Sequence, residues 1–251
     1  FAADHPEYLS PCIIDEKGYT AQVYNMAIMP YQGIYIGFPL IFNPSGPSRG
    51  NNDGLNLTEL TVSRDLHQWD RVANRELFLG LEKWKWDGSN YATAQNIITG
   101  RPIIKDDGEI WIYYNGIRFR AHPHYPSDEM NTFLQTHKRM SAICLATLRS
   151  DGFVSLDAKK QGIIITKPIK MDQSSSIHVN VDSTNGYLAA EVLDPISMEP
   201  IPGYTFENCE KISEDSSNKK INWNTTDTIN FETVRLKFIL EKSSLYSFWT
   251  N

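Results

Sequence analysis

The stretch from Asn96 to Phe119 constrains the fold more than any other, because it has the pattern of two β-strands joined by a tight turn. Isoleucines open the first strand, and the pair Asp107-Gly108 tolerates the positive φ angles that a hairpin turn requires. In the return strand, Glu109 to Tyr114, bulky side chains occupy both faces. Such a strand is more typical of the interior of a stack of sheets than of an open surface.

A second copy of this pattern lies upstream, from Tyr24 to Phe42, with its turn at Gln32-Gly33. Each copy is followed by a similar tail, LTVSRDLHQWDRV from Leu60 to Val72 and LATLRSDGFVSLDA from Leu145 to Ala158. The repeat predicts two successive blades of a β-propeller, since a blade is a four-stranded sheet packed against its neighbours. Two unrelated β-meanders are the alternative.

The composition bounds the class of protein. The chain has 251 residues, of which 41% are hydrophobic and 22% charged, so one or two globular domains are expected. A net charge of −6 argues against a nucleic-acid surface, and no apolar run is long enough for a membrane span. The chain starts at Phe1 without a signal peptide, as a fragment or a processed product would.

The pattern changes after Gly162. Short candidate strands follow, among them Ile177 to Asp182, and Thr233 to Leu240 alternates apolar with polar side chains. Short strands separated by Gly, Pro and Asn turns indicate a β-sandwich. We therefore predict an all-β chain, with the last blades of a β-propeller in residues 1–160 and a β-sandwich domain in residues 161–251.

The order of these segments resembles the C-terminal half of proteins classed as similar to glycoside hydrolase family 32. The motifs that carry the resemblance are LATLRSDGFVSLDA, GEIWIYYNG and VRLKFIL, and the match spans most of Tyr19 to Trp249. The resemblance implies a five-bladed β-propeller followed by a β-sandwich. It also implies a glycan bound or cleaved at the propeller axis, with catalytic carboxylates carried mainly by earlier blades.

The sequence departs from family 32 enzymes in the motifs that carry hydrolysis. Arg64-Asp65 is followed by Leu66 and not by proline, and Glu207 and Cys209 are not adjacent. Two functional classes therefore stay open. One is a glycoside hydrolase-like enzyme, and the other is a non-catalytic extracellular carbohydrate-binding or structural protein on the same scaffold.

Two blades are too few for a propeller. Known propellers have about four to eight blades, because each blade buries its faces only against neighbours on both sides. We therefore expect further blades to complete the ring, either from a missing N-terminal portion or from another protein chain. A glycan site would then lie on the axis of the completed ring.

The best catalytic candidate is Asp87, because Trp86 beside it offers a surface for a sugar ring and glycoside hydrolysis usually needs a pair of carboxylates. A turn aspartate bonded to its own backbone is the alternative. Other polar side chains start the two putative inner strands, where they either bind sugar hydroxyls or pack in the core. These residues are Tyr24, Asn25, Gln95 and Asn96.

A long polar segment contains a cationic cluster that includes Arg118 and His122. A site for a sugar acid or a sulfate is one use of such a cluster, and a solvated loop is the other. The His122-Pro123-His124 run lacks an evident third ligand, so we predict no metal site. We expect no cofactor, because no Gly-rich phosphate loop or paired-cysteine motif is present.

Two glycosylation sequons begin at Asn56 and Asn224. They favour a secreted or extracellular glycoprotein in which both asparagines are exposed to solvent and at least one carries a glycan. Asn56 follows a stretch rich in Gly, Pro and Asn, which is typical of an exposed loop.

Overall fold

The computed structural model describes residues 22–44, 54–80, 95–117, 141–224 and 226–251. These residues are all-β, and their only helical segments are the short 3-10 turns Ala73–Arg75 and Phe206–Asn208. The chain divides into two compact units, Phe1–Leu148 and Arg149–Asn251. The predicted all-β class is confirmed.

The first unit contains one sheet of ten described strands. Its main path runs β10-β9-β7-β3-β2-β4-β5, while β1 pairs with β2, β6 with β3 and β8 with β9. Every pair is antiparallel except β3 with β7. The strands are β1 (Gln22–Tyr31), β2 (Ile34–Pro44), β3 (Gly54–Glu59), β4 (Thr61–Ser63), β5 (Asp70–Arg71), β6 (Leu77–Leu79), β7 (Gln95–Ile97), β8 (Ile103–Ile104), β9 (Ile110–Ile117) and β10 (Ser141–Leu148).

Both predicted hairpin turns are confirmed. Gln32 and Gly33 have φ angles of 46° and 79°, so both central residues of the β1–β2 turn are in the left-handed region that such hairpins use. In the β8–β9 turn Gly108 has a φ of 84°, and its N–H donates to the Lys105 carbonyl at 2.9 Å. The turn residues therefore set where each hairpin reverses.

The internal repeat holds for three strands of each copy and fails at the fourth. Tyr35 on β2 pairs with Ser63 on β4, and Trp111 on β9 pairs in the same way with Thr147 on β10. In the first copy the fourth strand, β5, pairs with β4. In the second copy the segment that follows β10 pairs instead with a strand of the second unit. The prediction that Ser141 to Ala158 closes a second blade is therefore wrong in its last strand. The described residues of the first unit form one sheet and no closed ring of separate blades.

The second unit contains one six-stranded sheet organised around its last strand. This strand, β16, pairs with four others, β11, β12, β13 and β14, and β15 pairs with β13. The strands are β11 (Leu156–Ile165), β12 (Ile169–Lys170), β13 (Ile177–Asp182), β14 (Tyr187–Leu193), β15 (Asp215–Lys220) and β16 (Thr233–Thr250).

The predicted position of the domain boundary, between residues 160 and 161, is wrong. Both residues lie inside β11, and Gly162 of the same strand pairs with Leu240 on β16. The division instead falls between Leu148 and Arg149. It falls there because β11 finds its hydrogen-bonding partner in the second unit.

Side chains also hold the start of the second unit to its sheet. Arg149 forms an ion pair with Asp215, and its guanidinium lies 4.6 Å from the ring centroid of Tyr246. Asp151 accepts a hydrogen bond from the Ser247 hydroxyl at 2.7 Å. These contacts place the turn after β10 in the second unit.

The core of the second unit follows the alternation that the sequence shows. Val234, Leu236 and Phe238 on β16 are each 0% exposed, as predicted for the apolar face of this strand. They pack with apolar residues of the other strands and connections, including Ile177, Val179, Leu188, Val192, Ile221 and Trp223. The strand β16 continues beyond Leu240 to Thr250, and Lys242 within it has a positive φ of 43°.

We predict that Gly186→Ala lowers the free energy of unfolding by about 3 kcal/mol, at the upper end of typical overpacking costs. A Cβ at Gly186 would fall well inside van der Waals contact of the Glu241 carbonyl group, which is backbone and has little freedom to move. Urea unfolding measures the change. Gly100→Ala is the matched control, because a Cβ there meets nothing within 4 Å, and we expect its effect to stay within about 0.5 kcal/mol. Equal effects of the two substitutions would contradict the prediction.

Candidate functional site

Four of the predicted sugar-binding residues lie in described strands, Tyr24 and Asn25 on β1 and Gln95 and Asn96 on β7. The other candidates, Trp86, Asp87, Arg118 and His122, lie outside the described residues. The candidate site is therefore built from the ends of strands in the first unit.

Four amide side chains lie on the neighbouring strands β3, β7 and β9. We refer to Asn56, Gln95, Asn96 and Asn115 as the amide cluster. Asn56 pairs with Gln95 across the parallel bridge between β3 and β7, and its side-chain Nδ2 donates to Gln95 Oε1. Asn115 pairs with Ile97, two residues along β7 from Gln95, so it shares the face of Gln95, whereas Asn96 pairs with Gly116 and lies on the opposite face. The cluster thus joins the two repeated hairpins.

Three oxygens of the amide cluster are buried and lack a hydrogen-bond partner. They are the Oδ1 atoms of Asn56, Asn96 and Asn115. The Asn96 Nδ2 group, by contrast, donates to the backbone carbonyls of Leu79 at 2.8 Å and Gly80 at 3.1 Å. A buried acceptor without a partner costs about 1–3 kcal/mol. The cluster therefore favours a group that brings hydrogen-bond donors to it.

An exposed aromatic ring lies at one end of the same sheet face. Tyr24 occupies a register shift in β1 between Val23 and Asn25, and such a bulge redirects a side chain. Its ring centroid lies 4.8 Å from that of Phe42, and Tyr24 remains 53% exposed. Phe42 in turn pairs with Asn56. The aromatic pair is therefore continuous with the amide cluster, whereas Asn25 lies exposed beside it.

Glu59 is the only carboxylate on the described strands that carry the cluster, β3, β7 and β9. Its side chain is 5% exposed and is bound by Arg71, whose Nε donates to Glu59 Oε2 at 2.6 Å. A carboxylate held in a buried ion pair already has its charge and its hydrogen bonds matched, so it is not available as a catalytic acid or nucleophile. The described part of the site therefore offers groups for binding and no free pair of acids for hydrolysis.

Asp65 is a turn residue. Its Oδ1 accepts hydrogen bonds from the backbone N–H groups of His67 and Gln68, each at 2.8 Å. These bonds, the one from Gln68 first, hold the pKa of Asp65 below its ordinary value. Asp65 thus orders its own turn and takes no part in the amide cluster.

The prediction that Asn56 is exposed is wrong. Asn56 is only 3% exposed, because its place on β3 brings it beside Gln95 in the interior of the sheet. Its Nδ2, the atom that would carry a glycan, is engaged by Gln95. Asn224 is exposed, as predicted. A glycan is therefore compatible with the folded structure at Asn224 and not at Asn56.

The sequence reading missed two members of the site, Asn56 as a buried polar residue and Asn115. Asn115 does carry a signal, because it interrupts an otherwise bulky strand at Tyr114-Asn115-Gly116. A polar residue in such a strand requires a partner or a ligand.

No protein-family model matches the chain, and no curated protein matches it. The described residues contain no group of three His, Cys, Asp or Glu side chains placed to hold a metal ion. They also contain no helix of the length and apolar character needed to cross a membrane.

We predict that protein secreted by a eukaryotic host carries N-linked glycan at Asn224 and none at Asn56, because the Asn56 amide is buried and bonded. Intact mass before and after glycosidase treatment measures the glycan. Asn224→Gln should remove the whole mass difference, and Asn56→Gln serves as the paired control that leaves it in place. Glycan retained in Asn224→Gln would contradict the burial of Asn56.

Proposed function

We propose that the chain is a carbohydrate-active protein, glycoside hydrolase-like, that binds a glycan through the amide cluster and Tyr24 of its first unit. The observation that carries this proposal is the pair of buried amide oxygens without partners, those of Asn56 and Asn115, on the sheet face beside an exposed aromatic ring. Sugar hydroxyls are hydrogen-bond donors and would satisfy these acceptors. A sugar ring presents an apolar face that packs on an aromatic side chain such as Tyr24.

The charge of the described site favours a neutral glycan. The amide cluster and its aromatic neighbours carry no charge, and the nearby Glu59 and Arg71 neutralise one another. An anionic sugar would need a cation, and the candidate cations Arg118 and His122 lie outside the described residues. Neutral oligosaccharides are therefore the first ligands to test.

Hydrolysis remains part of the proposal through Asp87, which would act as one of the two carboxylates that glycosidases use. The alternative is a non-catalytic extracellular carbohydrate-binding or structural protein on the same scaffold. Glu59 is already paired with Arg71, so the described strands β3, β7 and β9 supply no free carboxylate, and this favours the alternative. Product analysis of a glycan that binds, with Asp87→Asn as the control variant, distinguishes the two.

We further propose that the glycan lies at the axis of a β-propeller, completed by other blades from a longer chain or from another protein. Large apolar side chains exposed on the first unit support this, because unpaired blade faces would present them. They include Val23, Ile103, Tyr113, Leu145 and, at 80% exposure, Ile143. Sedimentation of residues 1–251 tests this part, and a monomer without dye-accessible apolar surface would contradict it.

We predict that Tyr24→Ala weakens the binding of a neutral oligosaccharide about tenfold, since about 1.4 kcal/mol of stacking corresponds to that factor. Tyr24→Phe is the matched control and should retain most of the affinity, because the ring remains. Calorimetry against a panel of neutral oligosaccharides measures the change.

Asn115→Ala tests the amide cluster separately. Its side-chain oxygen has no partner, so we expect little loss of stability, within about 0.5 kcal/mol, together with a clear loss of affinity. Failure of the whole panel to bind, or affinity that is unchanged in both Tyr24→Ala and Asn115→Ala, would overturn the proposed function.

A further inference from the structure

The second unit holds a serine, a histidine and an asparagine in one hydrogen-bonded line. His178 Nε2 lies 3.1 Å from Ser176 Oγ, and His178 Nδ1 lies 2.7 Å from Asn218 Oδ1. Ser176 immediately precedes β13 and His178 is the second residue of that strand, so with this spacing of two their side chains project from the same face. Asn218 comes from β15, which pairs with β13.

One tautomer of His178 fits both hydrogen bonds. Asn218 Oδ1 can only accept a hydrogen bond, so it is matched by a proton on Nδ1. Nε2 then keeps its lone pair and accepts the hydrogen bond of the Ser176 hydroxyl. This is the arrangement of a nucleophile, a general base and an orienting group.

The indole of Trp249 holds the imidazole from its face. Trp249 on β16 pairs with His178 in the strand register, and the two rings stack with centroids 5.6 Å apart at 23°. Stacking on one face and hydrogen bonds at both nitrogens leave the imidazole little freedom to rotate. An ordered base with a defined tautomer is what proton transfer from a serine needs.

The preceding serine, Ser175, has a different hydrogen-bond partner from Ser176. Ser175 is 2% exposed, and its hydroxyl donates to the backbone carbonyl of Asp172 at 2.7 Å. Ser176 retains 8% of its surface and bonds to an imidazole nitrogen instead. The backbone of Ser176 is fixed by paired hydrogen bonds with Asn251, so its hydroxyl is presented from a rigid support.

We propose that Ser176 is a nucleophile activated by His178 and that it is acylated by carboxylic esters, independently of the glycan site in the first unit. Ser176 Oγ attacks the ester carbonyl carbon while its proton passes to His178 Nε2. The bond from carbon to the leaving oxygen then breaks, and His178 returns the proton to that oxygen as the alcohol departs. Water, activated by the same nitrogen, attacks the acyl-serine and releases the carboxylic acid and free Ser176. Asn218 is the positioning residue for His178.

The test is covalent labelling of the full chain with a fluorophosphonate, which reacts with activated serines, followed by intact mass and peptide mapping. We expect one label, on Ser176. Ser176→Ala should abolish labelling. His178→Phe, which keeps a ring for Trp249 to pack on, should slow it about 100-fold or more.

Two further variants separate activation from a merely structural hydrogen bond. Asn218→Ala should slow labelling, and Asn218→Asp should restore it, because a carboxylate also accepts from Nδ1–H. Ser175→Ala is the matched control and should label at the rate of the unaltered protein. The absence of any label, a label that persists in Ser176→Ala, or a labelling rate unchanged in His178→Phe would overturn the proposal.

Discussion

The second unit depends on the backbone pairing of β16. This strand of 18 residues bonds to β11, β12, β13 and β14, so most of the sheet exists only because β16 is present. Its apolar face supplies Val234, Leu236 and Phe238 to the core. Burial of each such side chain contributes about 1.5–3 kcal/mol. The register of β16 therefore determines both the sheet and the core beneath it.

The same strand also explains the arrangement around His178. Trp249, near the end of β16, pairs with His178, and Asn251 bonds to the backbone of Ser176. The C-terminal end of β16 thus supports the start of β13, where the serine and the histidine lie. Asn218 from β15 completes the line from the other side of β13. The strand β16 therefore both stabilises the sheet and helps to fix the positions of Ser176 and His178.

The first unit is held together differently. Its two repeated hairpins meet at a parallel bridge between Asn56 and Gln95, where buried amides take the place of apolar side chains. Unpartnered amide oxygens at this junction cost stability. Polar groups in a sheet interior are retained where they specify a structure or bind a ligand, and the exposed Tyr24 ring beside them favours the ligand.

Local signals in the sequence predicted local structure well. The turns at Gln32-Gly33 and Gly108 depend on neighbouring residues, and the apolar face of β16 depends on a period of two. The boundary near Gly162 could not be placed, because β11 is defined by pairing with residues more than 70 positions away, as in Gly162 with Leu240.

The candidate site was predicted only in part for the same reason. Gln95 and Asn96 were found because they begin a strand, but the burial of Asn56 depends on a partner 39 positions along the chain. Asp87, the predicted acid, lies outside the described residues. Ser176 and His178 are close in sequence, yet nothing in the sequence indicates that Asn218 lies beside them.

The most direct test of this account is the folding of residues 149–251 alone. The pairing of β11 with β16 and the contacts of Arg149 place every described strand partner of this unit within that segment. We predict a monomer with a dispersed amide NMR spectrum and a single cooperative unfolding transition, in which the β16 amides exchange most slowly. A collapsed or unfolded chain, or one that folds only when residues 1–148 are supplied, would contradict the division at Leu148 and the central role of β16.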